Sequence, residues 1–413
     1  MARRKAIQRG NVRKPSNYKS ESGEVRLRVL VISGGFLPGF RYGGPVRTLA
    51  AMVEHLGDEI EFSIVTSGSD MGERAPYPGV VLDSWTRAGK ADVWYTKGFS
   101  RLSACFWRRR MAERRPDVVY VNSFFHPVSS AFLLLRRFRL VPRVPVVIAP
   151  RGEFAKSALA IKEQKKRFFL CGSRLIRLHH GLTWQASSEA EAGDIRRAMG
   201  KIAQRIQVAP DLTIPSRSVC KTRIKVSGSA RFVWIGRIAR VKNLVGALRL
   251  LSGVHNGTAH IDLYGPIEDQ DYWRQCLEAT AGLPANVTFT YHGELSHDDV
   301  PGALSKSHFL LFPTLGENFG HSIAEALDQG LPVLVSDQTP WRNLREAGVG
   351  WDIPLDDMGE WASMIDRCVS MTNDEYQSMS ASCLGYVAQW LSAHGGRAAN
   401  WQMLMTAAAP GDQ

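Results

Sequence analysis

The stretch FPTLGENFGHSIAEALDQGLPVLVSD, which runs from Phe312 to Asp337, constrains the fold more than any other part of the chain. Short apolar runs at residues 309–312 and 332–335 have the length and the flanking signals of buried strands. A glycine-rich turn and a single helix lie between the two runs. The segment is therefore predicted to form a strand, a turn, a helix and a second strand.

The turn in this segment is suited to holding an anion. Gly316 and Gly320 let the backbone approach a ligand closely, and the helix that follows presents unpaired N–H groups beside them. Glu317 lies in the turn, and Glu325 lies in the second turn of the helix. Carboxylates accept hydrogen bonds from hydroxyl groups, whereas N–H groups bind phosphate. An anion site flanked by two carboxylates fits a nucleotide sugar.

The two glutamates also resemble a known signature. Seven residues separate Glu317 from Glu325, and within PTLGENFGHSIAEALDQGLPVLVSD they resemble the E-x7-E signature of retaining GT-B glycosyltransferases of family 4. The spacing alone is common in helices, but its position between a strand and GLPVLVSD makes the match specific. PRGEF, SALAIK and KKRFF, between residues 150 and 169, resemble a bacterial subgroup of this family that acts in surface polysaccharide synthesis.

A second segment carries the same resemblance. The strand predicted at residues 231–235 leads into GRIARVKNLVGALRLL, which is similar to the family pattern G-R-x4-K. In the family this arginine and lysine hold the nucleotide diphosphate, and they correspond here to Arg237 and Lys242. Two cations at a strand end neutralise the charge that grows on a departing diphosphate. Gly43 and Gly44 stand at the first strand-to-helix junction, where family members carry a similar glycine pair facing the cleft.

The resemblance implies a role for each of these residues. We expect Arg237, Lys242 and Glu317 to be catalytic, with the two cations on the leaving diphosphate and Glu317 on the hydroxyls of the donor sugar. Glu325 is expected to bind the ribose hydroxyls. The complete set expected to bind the donor is Gly43, Gly44, Asn318, Phe319, Gly320, His321, Ser322 and Glu325.

Predicted strands and helices alternate along most of the chain. This alternation implies doubly wound parallel sheets, whose ligands gather at the carboxyl ends of the strands. The resemblance implies the GT-B fold, an α/β architecture in which two Rossmann-like domains face each other across a cleft. The expected parts are a disordered basic arm at residues 1–25, an acceptor-binding domain at 26–210, a linker at 211–229, a nucleotide-sugar-binding domain at 230–385, and C-terminal helices at 386–413 that pack back toward the first domain.

Three polar residues follow predicted strands of the first domain. In the family a histidine often follows the strand that begins DVV; here the matching position is Asn122, and His126 stands four residues later. Either residue is a candidate for the contact with the donor sugar. Arg151, in the PRGEF turn, is a candidate for contact with the donor sugar or the acceptor.

Charge is distributed unevenly along the chain. Residues 1–210 contain 37 Lys and Arg against 17 Asp and Glu, a net charge of +20, while the remainder carries −7. This asymmetry indicates that an anionic surface, either membrane lipid or nucleic acid, contacts only the first half. Basic residues alternate with apolar ones in a predicted amphipathic helix, which fits either docking on anionic lipid or packing against its own domain. These basic residues are Lys162, Lys165, Lys166 and Arg167.

The sequence also indicates where in the cell the protein is expected to lie. No apolar run approaches the ~20 residues of a membrane span, and the basic N-terminus lacks the apolar core of a signal peptide. We therefore expect a cytoplasmic protein that is peripheral on the inner face of the plasma membrane.

The resemblance implies a retaining, metal-independent hexosyltransferase. Its donor is expected to be a nucleotide sugar, UDP-linked before GDP-linked, and its acceptor a hydroxyl of a glycan or of a polyprenyl-linked molecule in polysaccharide biosynthesis. The donor is a co-substrate, and we expect no metal and no other cofactor. Two alternatives stay open: a nucleotide-sugar epimerase of GT-B fold, and a non-catalytic protein that binds an anionic surface or nucleic acid. The first half contains no recognisable nucleic-acid-binding module, so no specific nucleic acid partner is expected.

Overall fold

The computed structural model describes residues 26–98, 103–160, 163–214 and 222–409. The predicted basic arm at residues 1–25 and Lys162 lie outside these ranges. Within them the chain forms two sheets flanked by helices, which confirms the predicted two-domain α/β architecture. No helix of the described ranges is both long and apolar enough to cross a lipid bilayer.

The first domain is built on an eight-stranded sheet. Its order is β3-β4-β2-β1-β5-β6-β7-β8, and all neighbours are parallel except β3, which runs antiparallel to β4. The strands are β1 Leu27–Ser33, β2 Ile60–Ser67, β3 Trp85–Ala88, β4 Ala91–Thr96, β5 Val118–Asn122, β6 Val146–Ala149, β7 Thr183–Ala186 and β8 Arg205–Val208. The helices are α1 Gly44–Leu56, α2 Ala104–Arg114, α3 Pro127–Arg137, α4 Lys156–Ala160, α5 Glu163–Leu175 and α6 Glu189–Met199.

The second domain is built on a six-stranded sheet. Its order is β11-β10-β9-β12-β13-β14, and every neighbouring pair is parallel. The strands are β9 Ser229–Ile235, β10 Thr258–Tyr264, β11 Val287–Tyr291, β12 Phe309–Phe312, β13 Val333–Ser336 and β14 Gly350–Ile353. The helices are α7 Leu244–Leu251, α8 Gln270–Thr280, α9 Val300–Leu304, α10 His321–Asp328, α11 Met358–Ser370, α12 Asn373–Cys383, α13 Tyr386–Ala393 and α14 Gly396–Ala408.

Burial on both faces explains why the central strands contain so few polar residues. All five residues of β5, VVYVN, are buried, as are all four of β12, FLLF. Parallel strands covered by helices on both faces give continuous apolar runs rather than alternating patterns. The carboxyl ends of these central strands carry the loops that meet between the two domains.

The last helix, α14, packs on the first domain rather than on the second. Met403 and Leu404 belong to the same apolar cluster as β1 and α1 of the first domain. Asn400 is buried there: its Nδ2 donates to the carbonyl of Pro210 at 2.7 Å, and its Oδ1 accepts from Gln185 Nε2 at 3.1 Å. The chain therefore returns to the first domain after completing the second.

Candidate active site

The glycine-rich turn between β12 and α10 is fixed by its own backbone and by one tryptophan. Gly320 has φ of +82°, in the left-handed region, and a Cβ at this position would lie 2.9 Å from the Cδ1 of Ile323. Trp341 Nε1 donates to the carbonyl of Phe319 at 2.5 Å. Ser322, expected to bind the donor, instead donates its hydroxyl to the carbonyl of Ile235 at 2.8 Å. The Ser322 hydroxyl therefore joins the start of α10 to the end of β9.

Two turns of the second domain are joined so that the predicted motifs meet. Leu315 N donates to the carbonyl of Val241 at 2.8 Å, and Thr314 Oγ1 donates to the same carbonyl at 3.0 Å. These bonds bring Lys242 against Glu317, and the two side chains form an ion pair in which that of Glu317 is only 9% exposed. Lys242 of the G-R-x4-K segment is thus paired with Glu317, the first glutamate of the E-x7-E segment.

The glycine pair of the first domain lies directly opposite these motifs. A Cβ on Gly43 would lie 3.6 Å from Arg237 Nε, and a Cβ on Gly44 would lie 3.4 Å from His321 Cδ2. Arg237 itself forms an ion pair with Glu268. Arg237, the start of α10 and the glycine pair, which are far apart in the sequence, therefore border one cleft between the domains.

Glu325 lies one turn further along α10 and is almost enclosed. Its side chain is 12% exposed, and its Oε1 accepts from Arg47 of α1 in an ion pair. The Nδ1 of His297 is 3.5 Å from the same oxygen. The other oxygen, Oε2, is buried and has no hydrogen-bond partner among the residues that the structure describes. An unsatisfied buried carboxylate oxygen costs free energy, so Oε2 is a ready acceptor for a ligand hydroxyl.

A cavity of about 530 Å³ adjoins Glu325 between α1 of the first domain and α9 and α10 of the second. A cavity of this size accommodates a small organic ligand. Its lining contains both acidic and apolar side chains. The acidic residues are Glu54, Asp298, Glu325 and Asp328, and the apolar residues include Ile214, Val300, Pro301, Leu304 and Val387.

His321, at the start of α10, is buried against the first domain. Its Nε2 is 2.9 Å from Thr48 Oγ1. Burial lowers the pKa of His321 well below its ordinary value, and the positive charge of Arg47 lowers it further. The imidazole is therefore neutral at pH 7 and carries no positive charge at the start of α10.

Two further hydrogen bonds join the domains on either side of α10. Asn318 Nδ2 donates to Glu191 Oε2 at 3.1 Å, and Arg41 Nε donates to Glu294 Oε2 at 2.9 Å. Asn318, expected to bind the donor, thus uses its amide group to bind a carboxylate of the first domain. The site is assembled from both domains in this structure.

Asn122 and Arg151, the candidates for contact with the donor sugar or the acceptor, are bonded to each other and to other groups of the first domain. Arg151 forms an ion pair with Asp211, and the two side chains are only 5% and 6% exposed. Asn122 is buried; its Oδ1 accepts from Arg151 Nε at 2.9 Å, and its Nδ2 donates to Ser33 Oγ and to the Pro45 carbonyl. Both residues belong to a hydrogen-bond network inside the first domain, because a buried guanidinium requires a carboxylate and further acceptors.

His126 occupies a different position from Asn122. Its Nδ1 accepts from Val128 N at 3.3 Å and caps α3, while its Nε2 lies 2.6 Å from where a Cβ on Gly34 would stand. Burial lowers the pKa of His126 below its ordinary value. His126 borders the loop that leads to Gly43, and Asn122 contacts both ends of that loop through Ser33 and Pro45, so both alternatives stay predictions.

The basic helix of the first domain is only partly as predicted. Lys166 points inward: its Nζ donates to the Ala158 carbonyl at 2.6 Å and lies 5.2 Å from the ring centre of Phe125. Phe169 packs against the core of the first domain. Lys166 is therefore half-buried and held by a carbonyl and an aromatic face, whereas the role expected for it at the outer surface stays a prediction.

The exposed side of α5 is both apolar and basic. Phe168 and Leu175 are 80% and 85% exposed, and Lys165 and Arg167 are exposed on the same helix. The end of α3 lies alongside, because Arg137 Nε donates to the Ile176 carbonyl at 2.8 Å. Further exposed apolar and basic residues there are Leu134, Phe138, Leu140, Arg139 and Arg143. We name these residues of α5 and the end of α3 the basic apolar surface.

An Asp-x-Asp triplet, the usual ligand of a diphosphate-bound metal, occurs at Asp269–Asp271, but both carboxylates have other partners. Asp269 accepts from Tyr272 N at 2.9 Å, caps α8 and forms an ion pair with Arg240 at 3.2 Å. Asp271 forms an ion pair with Arg274. Within the described ranges, no group of three or more His, Cys, Asp or Glu residues is placed to hold a metal ion.

Several contacts of the site were not predicted from the sequence, among them those of Arg47, Thr48, Glu191 and Arg41. A local signal existed for Arg47, because it stands one helical turn after Gly44 on a helix that begins at the cleft. Glu191 has no such signal, because its partner Asn318 lies 127 residues away in the sequence.

Two family models match this chain. Residues 43–211 match a glycosyl transferase 4-like domain, and residues 222–381 match glycosyl transferases group 1. Between them the two matches cover most of the chain. No characterised protein sequence gives a significant match over the chain. The fold, the meeting motifs and these matches identify the chain as a glycosyltransferase of the GT-B class.

Solved structures of the same fold include proteins with diverse products. HepE of Anabaena, in complex with UDP and glucose, is 15% identical, with a TM-score of 0.63 over 92% of this chain and 100% of that one. WaaG, a glycosyltransferase involved in lipopolysaccharide biosynthesis, is 14% identical, with a TM-score of 0.63 over 90% of this chain and 99% of that one. Sucrose-phosphate synthase of Thermosynechococcus elongatus is 16% identical, with a TM-score of 0.59 over 91% of this chain and 100% of that one. At such identities the likeness shows the shared fold.

Proposed function

We propose that this protein is a retaining, metal-independent hexosyltransferase that acts in polysaccharide biosynthesis. The donor is a nucleotide sugar, UDP-linked before GDP-linked, and the acceptor is a hydroxyl of a glycan or of a lipid-linked molecule. The main support is the meeting of Lys242 with Glu317 beside the start of α10, opposite Gly43 and Gly44. UDP is favoured because HepE, a protein of the same fold, was solved with UDP and glucose.

The proposal assigns a position to each part of the donor. The diphosphate lies at the N-terminus of α10, between Arg237 and Lys242, where N–H groups and two cations favour negative charge. Glu325 Oε2 accepts from a ribose hydroxyl, and the nucleoside extends toward the adjoining cavity. Glu317 then shares Lys242 with a phosphate oxygen and accepts hydrogen bonds from hydroxyls of the sugar.

The proposed transfer takes place on one face of the sugar. The acceptor oxygen attacks the anomeric carbon from the side on which the diphosphate departs, so the configuration is retained. As the bond from the anomeric carbon to the diphosphate oxygen breaks, the acceptor's proton passes to the leaving diphosphate and a glycosidic bond forms. Arg237 and Lys242 stabilise the charge on the leaving group. The products are a glycoside and a nucleoside diphosphate.

A covalent route through a carboxylate nucleophile of the first domain has less support. Such a nucleophile must reach the anomeric carbon. Glu153 is bound by Ser123 Oγ at 2.7 Å and by Phe125 N at 3.1 Å, and Asp211 is bound by Arg151. Glu191 accepts from Gly152 N at 2.6 Å. These three carboxylates are all occupied by hydrogen bonds or ion pairs, in the case of Glu191 also with Asn318 across the domain boundary, which favours same-face attack.

One experiment separates the proposed activity from its alternatives. The protein is incubated with a panel of UDP-, GDP- and ADP-sugars, with and without lipid-linked acceptors, and release of nucleoside diphosphate and of each sugar epimer is measured. A transferase releases nucleotide faster with a suitable acceptor and forms a glycoside with the donor's anomeric configuration. Conversion of the sugar without any acceptor indicates an epimerase. Absence of turnover with every donor, despite a folded protein, removes the proposal.

We propose further that the basic apolar surface docks on anionic lipid, which makes the enzyme peripheral on the inner face of the plasma membrane. Exposed Phe168 and Leu175 supply apolar side chains that enter the interfacial region, and Lys165 and Arg167 supply cations beside them. Each cation near an anionic surface contributes about 1 kcal/mol, so a few of them suffice for reversible binding. A lipid-linked acceptor would then lie on the same leaflet.

Co-sedimentation with vesicles tests this docking. The parent is expected to bind vesicles containing anionic lipid at low salt, and to bind them less at high salt because salt screens exposed charges. A variant with Lys165→Gln, Arg167→Gln and Phe168→Ser should lose most of this binding. The matched control, Arg87→Gln with Lys97→Gln, removes two exposed cations near the other edge of the first sheet and should bind like the parent. Equal binding to neutral and anionic vesicles contradicts the proposal.

A further inference from the structure

Glu325, the proposed ribose ligand of the second domain, is held by a side chain of the first domain. Arg47 reaches it from α1 and pairs with its Oε1. The next residue of α1, Thr48, bonds to His321 at the start of α10, with 2.9 Å between Thr48 Oγ1 and His321 Nε2. His321 and Glu325 are one helical turn apart on α10. Two consecutive residues of α1 therefore hold two residues of α10 that are one turn apart, across the domain boundary.

The contact with Arg47 fixes the orientation of the carboxylate. The last torsion of a glutamate side chain is broad, so an unpaired carboxylate samples many rotations. An ion pair to Oε1 removes that freedom and sets the direction of Oε2. In the structure Oε2 is buried and has no partner within the described ranges, and Glu325 lines the 530 Å³ cavity. Arg47 is therefore the closer of the two side chains at Oε1, with His297 Nδ1 at 3.5 Å, and it sets the direction of the acceptor oxygen of Glu325.

We propose that Arg47 is a positioning residue for the donor, an inference that rests on the proposed function. It orients Glu325 so that Oε2 accepts a ribose hydroxyl. Because Arg47 belongs to the first domain and Glu325 to the second, the ribose is recognised only when the two domains are in the arrangement seen here. The enzyme then distinguishes ribonucleotides from deoxyribonucleotides through a contact between its domains.

The test compares the binding of ribonucleotides and deoxyribonucleotides by isothermal titration calorimetry. The affinity for UDP is compared with the affinities for 2′-deoxy-UDP and 3′-deoxy-UDP. The same comparison is made for GDP and its 2′-deoxy and 3′-deoxy forms. A hydrogen bond to a charged group implies that the parent prefers the ribonucleotide by about tenfold or more over at least one deoxy form. Arg47→Ala is expected to reduce this preference to near unity, and Arg47→Lys to restore part of it.

Arg41→Ala is the matched control. It removes a different interdomain ion pair, that with Glu294, and leaves Glu325 untouched. Arg41→Ala should change the affinities for the ribo and deoxy forms by the same factor and preserve their ratio. If Arg41→Ala abolishes the preference as fully as Arg47→Ala does, the preference depends on domain closure alone and the role of Arg47 is disproved. Circular dichroism confirms that each variant is folded, and Arg47→Gln replaces Arg47→Ala if the latter unfolds.

The remaining outcomes separate this inference from the proposed function. If the parent binds no nucleoside diphosphate, the proposed function itself fails. If the parent prefers ribonucleotides and Arg47→Ala keeps the same ratio, the donor site stands and the positioning role of Arg47 is wrong. A parent that binds nucleotides without preferring ribose over either deoxy form also overturns the inference, because Glu325 is then not the ribose ligand.

Discussion

The ion pair between Lys242 and Glu317 leads to a prediction about turnover. Lys242→Ala removes a cation from the proposed diphosphate site and leaves the nearly buried Glu317 without its partner. Turnover is expected to fall by ~10²-fold or more, by analogy with the loss of one oxyanion donor. The measurement is steady-state release of nucleoside diphosphate, with circular dichroism as the check on folding.

The same turn supplies a control for Lys242. Arg240 is exposed, and its ion pair with Asp269, 3.2 Å from Nε to Oδ2, lies away from Glu317. Arg240→Ala should therefore leave turnover nearly unchanged, because an exposed ion pair contributes little. Lys242→Arg should be impaired, because a guanidinium differs from an ammonium in shape and hydration. A folded Lys242→Ala protein with near-parental turnover refutes the assignment.

The buried side chain of His179 is expected to make the free energy of unfolding depend on pH. It is buried, neither ring nitrogen has a hydrogen-bond partner among the described residues, and its ring stacks on Phe124 at 4.5 Å. Burial lowers the pKa of His179 from 6.5 to about 4. Between these values the unfolded chain binds a proton that the folded chain does not, so the free energy of unfolding decreases as the pH falls. The loss from this residue reaches roughly 3 kcal/mol.

Urea denaturation at a series of pH values between 7.5 and 4 measures this effect. His179→Phe keeps a ring against Phe124 but cannot take up a proton. Its free energy of unfolding should therefore fall less steeply than that of the parent over the same range. Parallel curves for the two proteins would show that His179 does not titrate as expected.

Residues within a motif were predictable and their partners in the other domain were not. Arg237, Lys242, Glu317 and Glu325 keep fixed spacings within short segments, and spacing is visible in one sequence. Arg47 contacts Glu325 across 278 residues, and no local pattern encodes such a pair. Asn122 and Arg151 were placed correctly at strand ends, but burial, which the sequence does not give for single polar residues, puts them in the interior.

For the element that joins β12 to α10, the critical residue is Gly320. Gly320→Ala forces a Cβ into the left-handed region and to within 2.9 Å of Ile323 Cδ1. The left-handed conformation alone costs an alanine about 1–2 kcal/mol. We expect the free energy of unfolding in urea to fall by at least that amount, and affinity for nucleoside diphosphate to fall with it, because the start of α10 shifts.

Gly172 provides the comparison for this substitution. It lies inside α5, and a Cβ there meets nothing within 4 Å among the described atoms. Gly172→Ala should leave stability unchanged or raise it by about 0.5–1 kcal/mol, because alanine is the better helix former. If both substitutions have the same effect, the backbone at Gly320 is not what holds the turn.

Helices and central strands were predicted well. The edge strand β3 and the direction in which individual helix side chains point were not. The buried strands of both sheets are continuous apolar runs, which a sequence displays directly. β3, with the sequence WTRA, is partly exposed and antiparallel at the edge of its sheet, so it carries no such run. For α5 the periodicity predicted an amphipathic helix, but the direction of Lys166 is set by Phe125 and by the Ala158 carbonyl, which lie on other elements.

At the scale of the whole molecule, the proposed reaction should not depend on a metal ion. The charge on the diphosphate is assigned to Arg237 and Lys242, which a chelator does not remove, and the nearby triplet Asp269–Asp271 is bound to other groups. Initial rates should therefore be unchanged in excess EDTA. Loss of activity that Mg²⁺ or Mn²⁺ restores would show that the diphosphate is held by a metal.

The two-domain architecture was predictable because it repeats one local unit, a strand followed by a helix, along the whole chain. The way in which the two domains pack against each other does not follow from any local repeat. It depends on a few pairs, among them Thr48 with His321 and Asn318 with Glu191, and each pair joins residues more than a hundred positions apart. Packing between α1 and α10 is therefore a property of the folded molecule that the sequence alone does not display.

The return of α14 to the first domain fixes an order of events during synthesis. A ribosome delivers the first domain before the second, yet Gln185 and the Pro210 carbonyl receive their partner Asn400 only after the second domain has been made. On the ribosome, proteolysis of stalled nascent chains should therefore cleave the first domain until α14 has left the exit tunnel, and early protection would contradict this order. We therefore expect the half of the enzyme that is translated first to be the half whose packing is completed last.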